Sequence, residues 1–149
     1  MTIRPATRSD LGVIAELIRE LAEYEDLVHE IEWTTHDALA EHLFGASPAA
    51  HVLLAETDGD EVAGMALWFT TFSTFLGRPG IWLEDLFVRP AFRGGGHGKD
   101  LLTTLLTMSP GRVEWAVLDW NQPSIEFYLS LGAEPVDGWT RYRWVPPGP

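Results

Sequence analysis

Leu83-Glu84-Asp85-Leu86-Phe87-Val88-Arg89-Pro90-Ala91-Phe92-Arg93-Gly94-Gly95-Gly96-His97-Gly98 reads as a strand running into a glycine-packed turn. The strand begins near Gly80, is partly apolar from Ile81 to Val88, and stops at Arg89-Pro90, because proline cannot donate to a ladder. Gly94, Gly95, Gly96 and Gly98 then precede a leucine-rich segment, Leu101 to Leu106, that predicts a helix. Glycines at a strand-to-helix turn let backbone N–H groups surround a phosphate, and the helix N-terminus adds partial positive charge. The segment therefore points to a pyrophosphate-bearing cofactor, with a ligand-free glycine turn as the plain alternative.

The residues missing from the turn narrow the choice. A Walker A loop needs Gly-x-x-x-x-Gly-Lys-Ser/Thr; here Gly98-Lys99 is followed by Asp100, and Arg93 stands at the first glycine. A dinucleotide fingerprint fails because Gly96-x-Gly98 is followed by Leu101. What remains, Arg93-x-x-Gly96-x-Gly98, resembles the acetyl-CoA motif Arg/Gln-x-x-Gly-x-Gly/Ala of the GNAT acetyltransferases.

Composition sets the outer bounds. A chain of 149 residues is enough for one domain with a real core, and a single domain over 1–149 is expected. The longest uncharged run, Val62–Gly77, is too short and too rich in Thr and Ser to span a bilayer, and Arg4, Arg8 and Asp10 interrupt any signal-peptide core. A cytoplasmic protein without membrane partners is the expectation. With no cysteine, a thiol nucleophile is excluded, and no Gly-x-Ser-x-Gly elbow offers a hydroxyl in its place. Acyl transfer would have to be direct. The five histidines are scattered, and Trp33 stands where a zincin helix beginning at His29-Glu30 needs its second histidine, so no metal site is expected. A net charge of −12 argues against nucleic acid. It fits a solvated acidic surface or a field that draws cations.

Outward from the turn, the pattern predicts a strand at Ile3–Pro5 and a helix capped by Ser9, with Leu11, Ile14, Leu17, Ile18 and Leu21 on one face. That helix ends on Glu23-Tyr24-Glu25-Asp26, a poor end because the dipole there disfavours anions; the mismatch is a functional hint. A second helix follows over Thr35–Phe44, then strands at Val52–Glu56 and Val62–Ser73 around the Asp58-Gly59-Asp60 turn. Beyond the glycines come a helix Lys99–Met108, a strand Val113–Leu118, a helix starting at Pro123 and ending near Leu131, and a last strand Thr140–Val145. The order is a mixed α/β sheet, antiparallel first and with a strand–helix–strand crossover later.

A second motif, Trp120-Asn121-Gln122-Pro123-Ser124-Ile125-Glu126-Phe127-Tyr128 with Leu131-Gly132-Ala133, sharpens the resemblance. Together with Leu83-Glu84-Asp85, Ile3-Arg4-Pro5-Ala6-Thr7 and Glu20-Leu21-Ala22-x-Tyr24-Glu25, it is similar to the diamine (spermidine/spermine) N-acetyltransferases and their thialysine-acetylating relatives within the GNAT superfamily. The likeness runs from Ile3 to about Trp139. It implies the GNAT fold: a mostly antiparallel central sheet with a splayed strand pair and helices on both faces. It also implies an acetyl-CoA-dependent transferase acting on a primary amine of a small cationic acceptor, and a homodimer. A peptide, protein or amino-acid amine is the runner-up acceptor, and a non-catalytic acyl-CoA-binding module is the alternative of another class.

The resemblance carries over residue by residue. Glu84 matches the base, and an ammonium with a pKa near ~10.4 does need a proton acceptor before it attacks a thioester. Tyr128 matches the acid for the CoA thiolate, with packing as its plain alternative. Cosubstrate contacts fall on Leu86, Phe87 and Val88 for the pantetheine arm, and on Arg93, Gly94, Gly95, Gly96, His97, Gly98 and Lys99 for the pyrophosphate, His97 reading otherwise as an ordinary turn residue. Asn121 and Ser124 meet the pantetheine end. Acceptor contacts fall on Tyr24, Glu25, Glu84, Asp137 and Trp139. Strand alternation sets Glu84 and Asp85 on opposite faces unless the strand is bulged there.

Overall fold

A computed structural model describes residues 1–148. They form two compact units, Met1–Trp115 and a second from Ala116 onward.

The first unit is built on five strands in the order β1-β2-β3-β4-β5: β1 Thr2–Pro5, β2 His51–Glu56, β3 Val62–Ser73, β4 Arg78–Val88 and β5 Val113–Glu114. β1 to β4 pair antiparallel, and β5 joins β4 in parallel through Ile81↔Val113 and Trp82↔Glu114. β5 is shorter than the Val113–Leu118 strand expected. From Leu83 to Val88, β4 therefore has β3 on one side and no strand partner of the described residues on the other. That is the expected splay.

Helix α1 (Leu11–Tyr24) and helix α2 (Asp37–Phe44) bury Ile14, Leu17 and Leu43 against Val52, Leu54, Met65, Leu67 and Phe87. The 3.6-residue period of α1 meets the two-residue period of the strands here, so each element gives one apolar stripe to a common core. Leu53, Ala66 and Leu83 alternate to the other face, where helix α3 (His97–Met108) contributes the buried Leu101, Leu102 and Leu105. α1 does not start on Ser9. Its N-cap is Asp10, preceded by a 3-10 turn in which the Thr7 N–H donates to the Asp10 carboxylate at 2.7 Å. Arg4 also grips Asp10 and Glu56, and this pairing holds the Asp10 carboxyl down at about 2. The Asp10 side chain makes no capping hydrogen bond to α1; its carboxylate is turned back to the Thr7 N–H and the Arg4 guanidinium, which fixes the entry to the helix.

The second unit holds helix α4 (Gln122–Ser130), with Pro123 in its first turn. Residues 140–145 form no strand, and Tyr142 and Trp144 are exposed. Alternation prepares a segment for a ladder, but the strand pairings of the described residues do not include 140–145.

Candidate active site

The decisive local feature is a β-bulge in β4. Asp85 lies opposite Leu67 and Leu83 opposite Trp68, so Glu84 is an extra residue with no counterpart on β3. The bulge breaks the alternation and puts Glu84 and Asp85 on one face of the strand. Trp82, on that face too, donates from its indole N–H to Glu84 at 3.0 Å. Glu84 is exposed, while Asp85 is partly buried. Burial, then the like charges of Glu84 and Glu25, push the Asp85 carboxyl up to about 7. Glu25 is itself raised by burial. Three carboxylates from two elements thus converge, and an acid close to neutrality sits among them.

The end of α1 supplies the third carboxylate. Tyr24 is the last residue of the helix and Glu25 its C-cap, and the chain then turns through Asp26 with φ 56°. Arg89, just past β4, fixes this helix: it pairs with Glu16 and Glu20, each at 3.0 Å, and donates to the Val62 carbonyl at 3.2 Å. The sequence alone read Arg89 only as a strand terminator. Its signal lay in Glu16 and Glu20, an i, i+4 acidic pair facing one cation.

The glycine turn has the form a diphosphate requires. Gly94 and Gly96 take φ values of 86° and 85°, in the left-handed region, and Gly96 is the N-cap of α3. The first intrahelical bond here runs from the Asp100 N–H to the Gly96 carbonyl. The N–H groups of His97, Gly98 and Lys99 therefore precede the helical ladder, the set that binds anions at a helix start. α3 begins two residues before the expected Lys99, so His97 is a helical residue and not a loop one. It is buried, lies edge-on to Phe92, and its Nδ1 has no hydrogen-bond partner. Along β4, the Arg89 N–H donates to Ala63, which turns the backbone of Phe87 toward β3 as well. The backbone groups facing away from β3 are those of Leu86 and Val88, while the Phe87 side chain is core.

Tyr24, Glu25, Glu84 and the Leu86–Lys99 stretch thus all belong to the first unit. Asn121, Ser124, Tyr128, Asp137 and Trp139 belong to the second. There Asn121 is buried at the N-cap position of α4, Ser124 lies in the first turn, and Tyr128 is half-buried with its ring tilted against Phe127 at 5.5 Å. Asp137 and Trp139 are exposed, Trp139 to 81%. No helix of the described residues is long and apolar enough to cross a membrane.

A strand–glycine turn–helix unit on a mostly antiparallel sheet with an open, bulged strand is an acyl-CoA transferase scaffold. The Acetyltransferase (GNAT) family profile matches residues 14–133, and the chain belongs to that family of acetyl-transferring enzymes. Thialysine N-epsilon-acetyltransferase of Mus musculus is 36% identical over 156 aligned residues, spanning 95% of this chain and 91% of the relative. L-ornithine N5-acetyltransferase NATA1 of Arabidopsis thaliana is 31% identical over 95% of this chain and 82% of its own length. Among solved structures, an aminoglycoside acetyltransferase from an uncultured soil metagenomic sample superposes with a TM-score of 0.79 at 15% identity, covering 98% of this chain and 96% of that one; this likeness concerns the fold.

Proposed function

We propose that the chain, as one catalytic domain over residues 1–149, transfers the acetyl group of acetyl-CoA directly to a primary amine of a small cationic acceptor of the diamine or thialysine type. The observation that carries this reading is the bulge-made Glu84–Asp85 pair with Glu25 beside it, next to the open edge of β4 and the glycine turn. Thialysine, L-ornithine and spermidine/spermine appear in the names of relatives, and each combines an alkyl primary amine with a further ammonium group. Acidic side chains at the acceptor end suit such cations.

The glycine turn and the first turn of α3 hold the diphosphate, and Leu86 and Val88 offer backbone groups to the amide-bearing arm in the manner of an added strand. Glu25 and Tyr24 hold the distal ammonium, with Asp137 and Trp139 as further candidate contacts. Glu84 takes the proton from the reacting ammonium, directly or through water. The freed amine attacks the thioester carbonyl, a C–N bond forms, and the C–S bond breaks as the tetrahedral intermediate collapses. Tyr128 gives its proton to the departing thiolate and is restored by the surplus proton that the amide nitrogen sheds, relayed through water, and Asn121 and Ser124 contact the arm. The same reading includes a cytoplasmic homodimer, and the exposed Phe72, Phe75 and Leu76 at the β3–β4 hairpin are apolar surface of the kind subunits cover.

The test is acetyl-CoA consumption by the purified chain across spermidine, putrescine, thialysine, ornithine and a set of peptide N-termini. Turnover of at least one small dication above every peptide is expected. Background rates with all the small amines would sink the acceptor assignment.

A further inference from the structure

Arg93 opens the glycine motif, yet its side chain runs back along β4. Its Nε donates to the Val88 carbonyl at 2.9 Å. Its guanidinium carbon lies 5.2 Å from the ring centre of Tyr24 and 5.7 Å from that of Phe87. In a chain with 22 acidic residues, Arg93 forms no ion pair with any described residue; two aromatic rings and a carbonyl hold it instead. These three contacts come from the end of α1, the core side of β4 and the free-edge backbone of β4. Arg93 therefore bridges the turn to the helix end that presents Tyr24 and Glu25.

We propose that Arg93 is a positioning residue that sets the acceptor end of the site from the cosubstrate turn. This inference rests on reading Tyr24 and Glu25 as acceptor contacts and the turn as the diphosphate cradle. Movement of the turn on binding a diphosphate is passed through the guanidinium plane to the Tyr24 ring. Affinity for the acceptor thus depends on Arg93, although Arg93 does not touch the acceptor. Lysine cannot reproduce this: it keeps a charge near the turn but has neither a flat face for two rings nor an Nε–H aimed at Val88.

The test uses the full chain and Arg93→Lys, Tyr24→Leu and the double substitution. Acetyl-CoA dissociation constants are measured by calorimetry, and acceptor KM and kcat with the amine turned over best in the panel above. With acetyl-CoA held saturating for each variant, Arg93→Lys is expected to raise acceptor KM about three- to tenfold, and the double variant is expected to be no worse than Tyr24→Leu alone. Unchanged acceptor KM, or effects that multiply independently, would overturn the proposal. A second readout does not need turnover. Only three tyrosines are present, so the Tyr24 ring signals can be assigned by substitution and followed by NMR during acetyl-CoA titration. They should shift in the wild-type chain and stay still in Arg93→Lys at saturation. If acetyl-CoA binds and the wild-type Tyr24 signals do not move, the coupling is wrong. If they move as expected but no amine is acetylated, the coupling stands and the acceptor assignment fails.

Discussion

Glu84 and Asp85 are consecutive in a strand and yet share one face, because β3 has no residue opposite Glu84. A regular strand would send one of them into the opposite layer. The bulge makes each carboxylate part of the other's electrostatic environment.

That relationship has a pH signature in stability. The Asp85 carboxyl is raised from 3.8 to about 7, so between those values the folded chain holds a proton that the unfolded chain has lost. Stability from this group therefore falls as pH rises through that window. Asp85→Asn removes the effect. It is expected to raise stability at pH 8 by roughly 1–2 kcal/mol, less than the full ~1.4 kcal/mol per pH unit because the residue is partly solvated, and by almost nothing near pH 4. Urea denaturation at the two pH values checks this, and an equal gain at both would contradict it.

The same pair shapes the rate profile. Glu84→Gln removes a like charge beside Asp85, so the ionisation of Asp85 in kcat/KM should move toward acid. Loss of the proposed base should also lower kcat by about 10²-fold or more. A pH–rate series on wild type and variant reads both effects.

Tyr128→Phe should leave acetyl-CoA binding within about threefold and lower turnover by about 10²–10⁴-fold, the range for loss of a positioned acid. Calorimetry beside steady-state kinetics separates the two. Unchanged turnover would return Tyr128 to a packing role against Phe127.

Gly64 lies opposite Val88, and a Cβ there would stand 2.4 Å from the Phe87 carbonyl oxygen. Gly64→Ala should cost about 1–3 kcal/mol as β4 is pushed away, the range for overpacking, and weaken acetyl-CoA binding with it. At Gly96 nothing lies within 4 Å of an added Cβ, so only its φ of 85° opposes substitution. Gly96→Ala should cost about 1–2 kcal/mol and Gly96→Asn less, since asparagine tolerates the left-handed region. Equilibrium unfolding ranks the three variants.

By itself the sequence determined the order of the helices and strands as far as α4, the glycine turn and its Arg93-x-x-Gly96-x-Gly98 spacing. It also marked the apolar face of α1 and the oddly acidic end of that helix. These are local facts, written in periodicity, turn chemistry and missing side chains. Only the tertiary structure decided that Glu84 is the extra residue of a bulge, because register is a property of two strands and β3 carries half of it. It also turned the Phe87 backbone toward β3, shortened β5, left residues 140–145 without a strand and laid Arg93 across Tyr24 and Phe87. Each of these depends on which distant segment arrives alongside. Glu84 and Asp85 were legible as acids in the strand; their shared face, and the burial that chiefly raises Asp85, came from packing.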